Sequence, residues 1–243
     1  MADAPVGCGP VNSSARTAPA GLVVAVDGTS GSGKSSTSRG VADRLGLRYL
    51  DTGAMFRAMT WWMLERGVDV HDPAAVAARC GEPEIVSGTD PLGPTITVDG
   101  TDVAVAIRSD EVNAAVSPVS AVPEVRARLL ALQRAVIAAE TDRGGIVVEG
   151  RDIGSVVAPD APVKVYLSAD PAARAARRAA EQGGADVAAT RASLLARDRI
   201  DSGRAAAPLV QADGAVHIDT TSATLEEVIG LVVSLVESAG TPQ

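Results

Sequence analysis

Residues 22–35 run Leu22-Val23-Val24-Ala25-Val26-Asp27-Gly28-Thr29-Ser30-Gly31-Ser32-Gly33-Lys34-Ser35. The apolar run from Leu22 to Val26 has the length and β-branched content of a buried strand, and it stops at Asp27 before a cluster of glycines. From Ser35 to Leu45 apolar positions recur at helical spacing, and Gly46 closes the segment. The residues between strand and helix satisfy the pattern Gly, four residues, Gly, Lys, Ser, in the setting that pattern requires. Glycines let the chain curl so that successive backbone N–H groups face inward, and with the helix N-terminus they make an anion nest. Gly28, Thr29, Ser30, Gly31, Ser32, Gly33 and Ser36 are therefore expected to cradle the phosphates of ATP. Lys34 would reach the outer phosphates, and the Ser35 hydroxyl would complete a Mg²⁺ shell. The bland alternative, a chance glycine-rich turn, does not account for the strand before it and the helix after it.

Further short apolar runs follow at Ile146–Val148, Val163–Leu167 and Val216–Ile218, separated by stretches long enough for helices. Strands alternating with helices predict an α/β fold, a parallel sheet covered on both faces. Residues 70–108 depart from this rhythm. Thr95-Ile-Thr-Val98, then Asp99-Gly100, then the alternating Val103, Val105 and Ile107, predict an antiparallel hairpin turning on Asp-Gly, an insert projecting from the parallel core. From Glu124 to Ala139 the residues Val125, Leu129, Leu132 and Val136 fall on one helical face.

The bulk composition sets bounds. Hydrophobic residues make up 46% and charged residues 21%, the balance of a globular protein and not of a disordered one. Aromatic residues are few, namely Tyr49, Phe56, Trp61, Trp62 and Tyr166, so Val, Leu, Ile and Ala must fill the core. A formal charge of −8 argues against a nucleic-acid polymer as partner while leaving a single nucleotide possible. Among the 22 basic residues only Lys34 and Lys164 are lysine, and arginine forks onto phosphate oxygens in a way lysine does not. Cys8 and Cys80 are far apart, with no metal-ligand spacing, and read as free thiols of a cytoplasmic protein. Residues 1–20 are rich in Ala, Pro, Gly and Ser, without the apolar run of a signal peptide, and are expected to form a disordered tail ahead of a core at 21–243. Ile229–Val236 is too short to cross a bilayer. Nothing in the sequence demands more than a monomer.

A phosphate loop alone implies nucleotide binding, not transfer. A GTPase is disfavoured because the chain has no Asn-Lys-x-Asp motif. A large ATPase could use Glu149, after Ile146-Val-Val148, as its acidic strand end, yet the chain is short for that class. A small kinase is favoured by the arginines downstream of the loop.

Three segments, Asp51-Thr-Gly-Ala-Met-Phe-Arg57, Glu149-Gly-Arg-Asp-Ile-Gly154 and Arg197-Asp-Arg-Ile-Asp-Ser-Gly-Arg204, resemble the signature segments of bacterial cytidylate kinases, in the same order. The resemblance runs from about Leu22 to the C-terminus. It implies a P-loop three-layer sandwich with a five-stranded parallel sheet in the order 2-3-1-4-5, and ATP-dependent phosphorylation of CMP and dCMP. It implies that residues 70–108 form a monophosphate-binding insert and that residues 172–204 form a lid.

Carried onto this chain, the resemblance implies that Arg57, Arg151 and Arg204 grip the acceptor phosphate, with Lys34, Arg151 and Arg204 as the catalytic cations. Ser117, Arg126 and Asp152 would read the cytosine edge. Arg197 and Asp201 would approach the sugar, and Thr52 and Phe56 would line the acceptor site. Arg197, Asp201 and Arg204 stand at i, i+4 and i+7, so one helical face can present all three, although a solvated ion-paired surface explains the first two equally well. Arg151 and Asp152 follow a buried strand at its carboxyl end, where ligands of open α/β sheets bind. Asp51 holds Mg²⁺ through water or caps the next helix, and both readings stand. Arg174, Arg177 and Arg178 lie on an Ala-rich helix before Gly183-Gly184; charge on a solvated helix competes with a lid role in which Arg174 and Arg178 meet the donor phosphates. Phe56 stands where the family commonly has tyrosine, which removes a hydroxyl and keeps a ring for packing.

Overall fold

A computed structural model describes residues 21–181, 184, 186–203 and 209–239 of the chain. The central strand β1 (Leu22–Gly28) is buried along its whole length. It pairs in parallel with β6 (Gly145–Glu149) on one side and β7 (Val163–Ser168) on the other, with Val24 opposite Val147 and Val163. Strand β2 (Arg48–Asp51) adds beyond β6 and β8 (Val216–Asp219) beyond β7, giving the order β2-β6-β1-β7-β8. Counting only these parallel strands along the chain, the order is 2-3-1-4-5. The higher labels arise because three antiparallel strands intervene in sequence.

Alternation along β1 divides the core in two. Val23 and Ala25 pack with Met55 and Met59 of α2 (Thr52–Glu65) and Leu129 and Ile137 of α5 (Pro123–Thr141). Leu22, Val24 and Val26 point the other way, to Val41 and Leu45 of α1 (Lys34–Leu45) and Val232 and Val236 of α8 (Leu225–Ala239). Successive side chains of a strand leave opposite faces, so a strand apolar at every position belongs between two helical layers. The buried stripe of α5 is Val125, Leu129, Gln133, Ile137 and Glu140, while Leu132 and Val136 are only half-buried beside it.

The segment after α2 holds α3 (Pro73–Arg79) and a second sheet of β3 (Ile85–Ser87), β4 (Ile96–Val98) and β5 (Thr101–Asp102). Asp99 and Gly100 both have positive φ, 51° and 77°, the two-residue turn expected for Asp-Gly. The returning strand is shorter than the alternation of Val103, Val105 and Ile107 predicts. Asp102 Oδ1 accepts from the Ala104 N–H at 2.9 Å, which turns the chain out of the ladder and into a 3₁₀ turn at Ala106–Arg108. Val103 and Ile107 are buried, but Val105 is 88% exposed. Strand β3 carries no such pattern and completes the sheet on the other side. Helix α4 (Asp110–Ala121) leads from this region into α5.

Ile85, Ile96 and Val98 share the core cluster of α2, so the small sheet is seated against the helix that bears Phe56 and Arg57. Asp99 ties the two together, accepting from Trp62 Nε1 at 2.9 Å and from the Glu84 N–H at 2.8 Å. Removing both acceptors leaves the part-buried indole N–H and the Glu84 N–H without these partners, so Asp99→Ala should lower the urea midpoint. Urea unfolding measures this, and an unchanged midpoint would contradict the role assigned to Asp99.

Candidate active site

The chain leaves β1 through Gly28, whose φ of 144° and whose approach to the Leu167 carbonyl exclude any side chain; a Cβ there would sit 1.9 Å from that oxygen. The loop is braced from within. Ser32 Oγ and Lys34 Nζ both donate to the Thr29 carbonyl, at 2.9 and 2.8 Å. Gly33, with φ of 86°, hands over to α1, whose first residue is Lys34. Burial, with the Arg151 guanidinium second, pushes the Lys34 ammonium well below the ordinary lysine range.

Glu149 ends β6 beside this loop. It is buried, its Oε1 accepts from Ser35 Oγ at 2.7 Å, and its Oε2 has no hydrogen-bond partner among the described residues. Burial, with the Asp51 carboxylate next, raises its carboxyl above the usual range. Asp51 accepts from the Ala54 N–H at 2.9 Å and so caps α2, while lining the same cleft. Thr52 is buried and donates to the Glu149 carbonyl at 2.7 Å. The sequence offered Glu149 only as a strand-end acid; its contact with Ser35 is visible only in three dimensions.

The arginines line the same cleft. Phosphate-loop residues Ser30, Gly33 and Lys34 line the same cavity as Arg57, Ser117, Arg126, Arg151, Asp152 and Arg178. Arg57 donates through Nη1 to the Ile107 carbonyl at 3.0 Å and to Asn113 Oδ1 at 2.8 Å. Arg126 forms an ion pair with Asp152, and its guanidinium lies 5.5 Å from the centroid of the Phe56 ring. The ring thus shelves the arginine through a cation–π contact. Arg151 donates to the Gly28 carbonyl at 2.9 Å. Ser117 is buried on α4.

The basic helix α6 (Pro171–Glu181) is not simply solvated. Arg174 is 3% exposed and donates to the carbonyls of Ala169 and Ser30 at 3.0 and 2.9 Å, and it pairs with Asp198 of α7 (Val187–Ser202). Asp198 also accepts from the Ser30 N–H at 3.3 Å, so a carboxylate of α7 lies on the phosphate loop. Arg177 instead holds the Thr220 carbonyl. Arg197 and Asp201 fall within α7, but their side chains lie outside the described structure, as does Arg204 altogether.

Asp27 gave no signal beyond its place after Val26. It is 3% exposed, and its two oxygens accept from the N–H groups of Ile153 and Gly154, both at 2.8 Å. Its carboxyl is raised from 3.8 to about 6, chiefly by burial; the Gly154 and Ile153 N–H groups and Lys34 oppose the rise, and Asp152 adds to it. The folded chain therefore binds this proton more readily than the unfolded chain. The stability so gained is full below about pH 4 and is lost as pH rises towards about 6. Asp27→Asn, which cannot titrate, should gain on the parent by about 2 kcal/mol between pH 4.5 and pH 7, read by urea unfolding at the two values. A stability difference that does not move with pH would contradict the assignment.

A family model for cytidylate kinase matches residues 24–238. A cytidylate kinase from Streptomyces avermitilis is 60% identical over 226 residues, covering 93% of this chain and 96% of that protein. One from Streptomyces coelicolor is 61% identical over 226 residues with the same coverage, and one from Rhodococcus jostii is 54% identical over 227 residues, covering 90% and 97%. With the family model spanning residues 24–238 and relatives this similar over nearly the full length, the chain belongs to the cytidylate kinase family.

Proposed function

We propose that this chain transfers the terminal phosphoryl group of ATP to CMP and dCMP, releasing ADP with CDP or dCDP. The observation that carries this reading is one cleft lined by the loop of Lys34 together with Arg57, Arg126 and Arg151. A module that only sensed ATP has no need of these further cations. Membership of the family disfavours UMP, AMP or a non-nucleotide alcohol as the principal acceptor.

The acceptor oxygen belongs to a phosphate monoester whose second pKa is about 6, so it is ionised near neutral pH and needs no general base. The chain must hold two anions in line and offset their repulsion. Lys34, depleted of water by burial, gains its missing counter-charge when donor phosphates enter. Arg57 and Arg151, and with them Arg204, take the acceptor phosphate; Arg57 is steadied by the Ile107 carbonyl, at the end of the insert, and by Asn113.

Arg126 and Asp152 suit cytosine. A carboxylate accepts from the exocyclic amine and a guanidinium donates to the ring acceptors, with the Ser117 hydroxyl beside them. Uracil turns a carbonyl towards that carboxylate and is repelled. Arg197 and Asp201 complete the acceptor site at the sugar, with Thr52 and Phe56 lining it, and residues 172–204 with Arg174 and Arg178 form the lid over the donor.

The residues also fit a divalent cation. Ser35 and the carboxylates of Glu149 and Asp51 are hard oxygen donors lining one cleft, and Ser35 with Asp51 through water would hold Mg²⁺. When bound, that ion supplies positive charge shared between donor phosphates. The enzyme is taken to work as a cytoplasmic monomer, with Cys80 a free thiol as a reducing compartment keeps it.

Lys34→Ala should reduce CMP-dependent ADP release at least about 100-fold, the scale of losing one preorganised cationic donor. Retained turnover would remove the donor assignment. In an acceptor panel CMP and dCMP should give the highest kcat/KM, with UMP lower by about 100-fold or more, because a site built for one hydrogen-bond pattern rejects its mismatch. Equal rates with UMP and AMP would defeat the proposed acceptor.

A further inference from the structure

Residues 150–154 carry Arg151 and Asp152 and are fastened to the end of β1 at four points. The Gly150 N–H donates to the Val26 carbonyl at 3.0 Å, and Arg151 donates to the Gly28 carbonyl at 2.9 Å. The other two points are the oxygens of Asp27, each accepting one N–H, from Ile153 and from Gly154, at 2.8 Å. Asp152 therefore lies between fixed neighbours on both sides, and the same three residues of β1 lead directly into the phosphate loop.

Few side chains could do this. Two N–H groups side by side need two acceptor atoms on a short stem. Asparagine offers one acceptor and turns an N–H₂ donor towards the other N–H. The approach is also close: a Cβ on Gly154 would lie 3.4 Å from Asp27 Oδ2, 3.2 Å from the Lys164 stem and 3.1 Å from Ala212. Burial opposes the ionised form of Asp27, so a carboxylate here is a poor choice for stability alone. Around it are the charges of Asp152 and Lys34, and Tyr166 stands beside it on the neighbouring strand.

We infer that Asp27 is a positioning residue for the acceptor side of the reaction: it sets Arg151 and Asp152 against the phosphate loop while touching neither nucleotide. This rests on the acceptor roles proposed above for Arg151 and Asp152. The end of β1 supplies the donor loop with its backbone and, at Asp27, the acceptor loop with two of its four anchor points.

The test uses the full chain in four forms, Asp27→Asn, Gly154→Ala, Arg151→Ala and the double variant Asp27→Asn with Arg151→Ala. Circular dichroism and thermal unfolding check each fold, and a non-hydrolysable ATP analogue reports the donor site. Asp27→Asn should lower kcat/KM for CMP at least about 10-fold while analogue affinity changes less than about 3-fold, the loss of one buried charge-assisted bond expressed at one site. Because Asp27 acts through the loop, the double variant should be no more than about 3-fold worse than Arg151→Ala alone. Gly154→Ala parts the loop from Asp27 without changing charge, and it should reproduce the CMP defect even if Asp27→Asn does not fold. Normal CMP kinetics in the folded Asp27 or Gly154 variant, equal loss at both sites, or full additivity with Arg151→Ala would overturn the inference. Normal CMP kinetics in Arg151→Ala would instead overturn the acceptor assignment on which it stands.

Discussion

Asp27, Lys34 and Glu149 are buried at the carboxyl ends of two neighbouring parallel strands, where burial opposes the charge of each. Parallel pairing of β1 with β6 brings this about, because it sets Val26 beside Glu149 and so aligns the starts of both functional loops. An ion without water is tolerable only where other groups replace the water. Thr29 does so for Lys34, Ser35 for Glu149, and two backbone N–H groups for Asp27. The replacement is incomplete at Lys34 and Glu149, and that deficit is what an incoming polyanion with its counter-ion can make good.

The parts of the fold that local pattern controls were legible. The run Leu22–Val26, the glycine loop and the helix after it are each specified by residues within a few positions of one another. The hairpin was legible at its turn, since Asp99-Gly100 encodes positive φ, but not at its return. There a single Asx contact from Asp102 outweighed the alternating valines, and Val105, apolar in sequence, is exposed. Strand β3 has only three residues, too few for a period, and exists because β4 pairs with it. On α5 the geometry selected Gln133 and Glu140 for the buried stripe, a choice that hydrophobicity alone reverses.

In the site, the sequence named residues one by one, and the contacts that join one segment to another were not legible in it. Arg126 and Asp152 are 26 positions apart, and the resemblance brought them to the same task before their ion pair was seen. Asp27 has no such segment, and Asp198, although inside one, was given no role by it. Asp27 matters because β1 lies next to the loop at 150–154, and Asp198 because α7 returns to Ser30. The arginines of α6 show the same limit: spacing puts Arg174 and Arg178 on one side, yet Arg174 is turned into the loop and Asp198 while Arg178 lines the cleft.

A chain of net charge −8 that binds nucleotides invites a question of range. At physiological salt an exposed charge is screened over about 8 Å, so carboxylates on the outer surface add little to the potential inside the cleft. Lys34, Arg57, Arg126, Arg151 and Arg178 all line that cavity, where lower dielectric strengthens each of them. A mononucleotide fits within this short-range field. A polymer would extend past it onto an acidic exterior that releases few counter-ions, so the charge distribution selects the small anion over the long one.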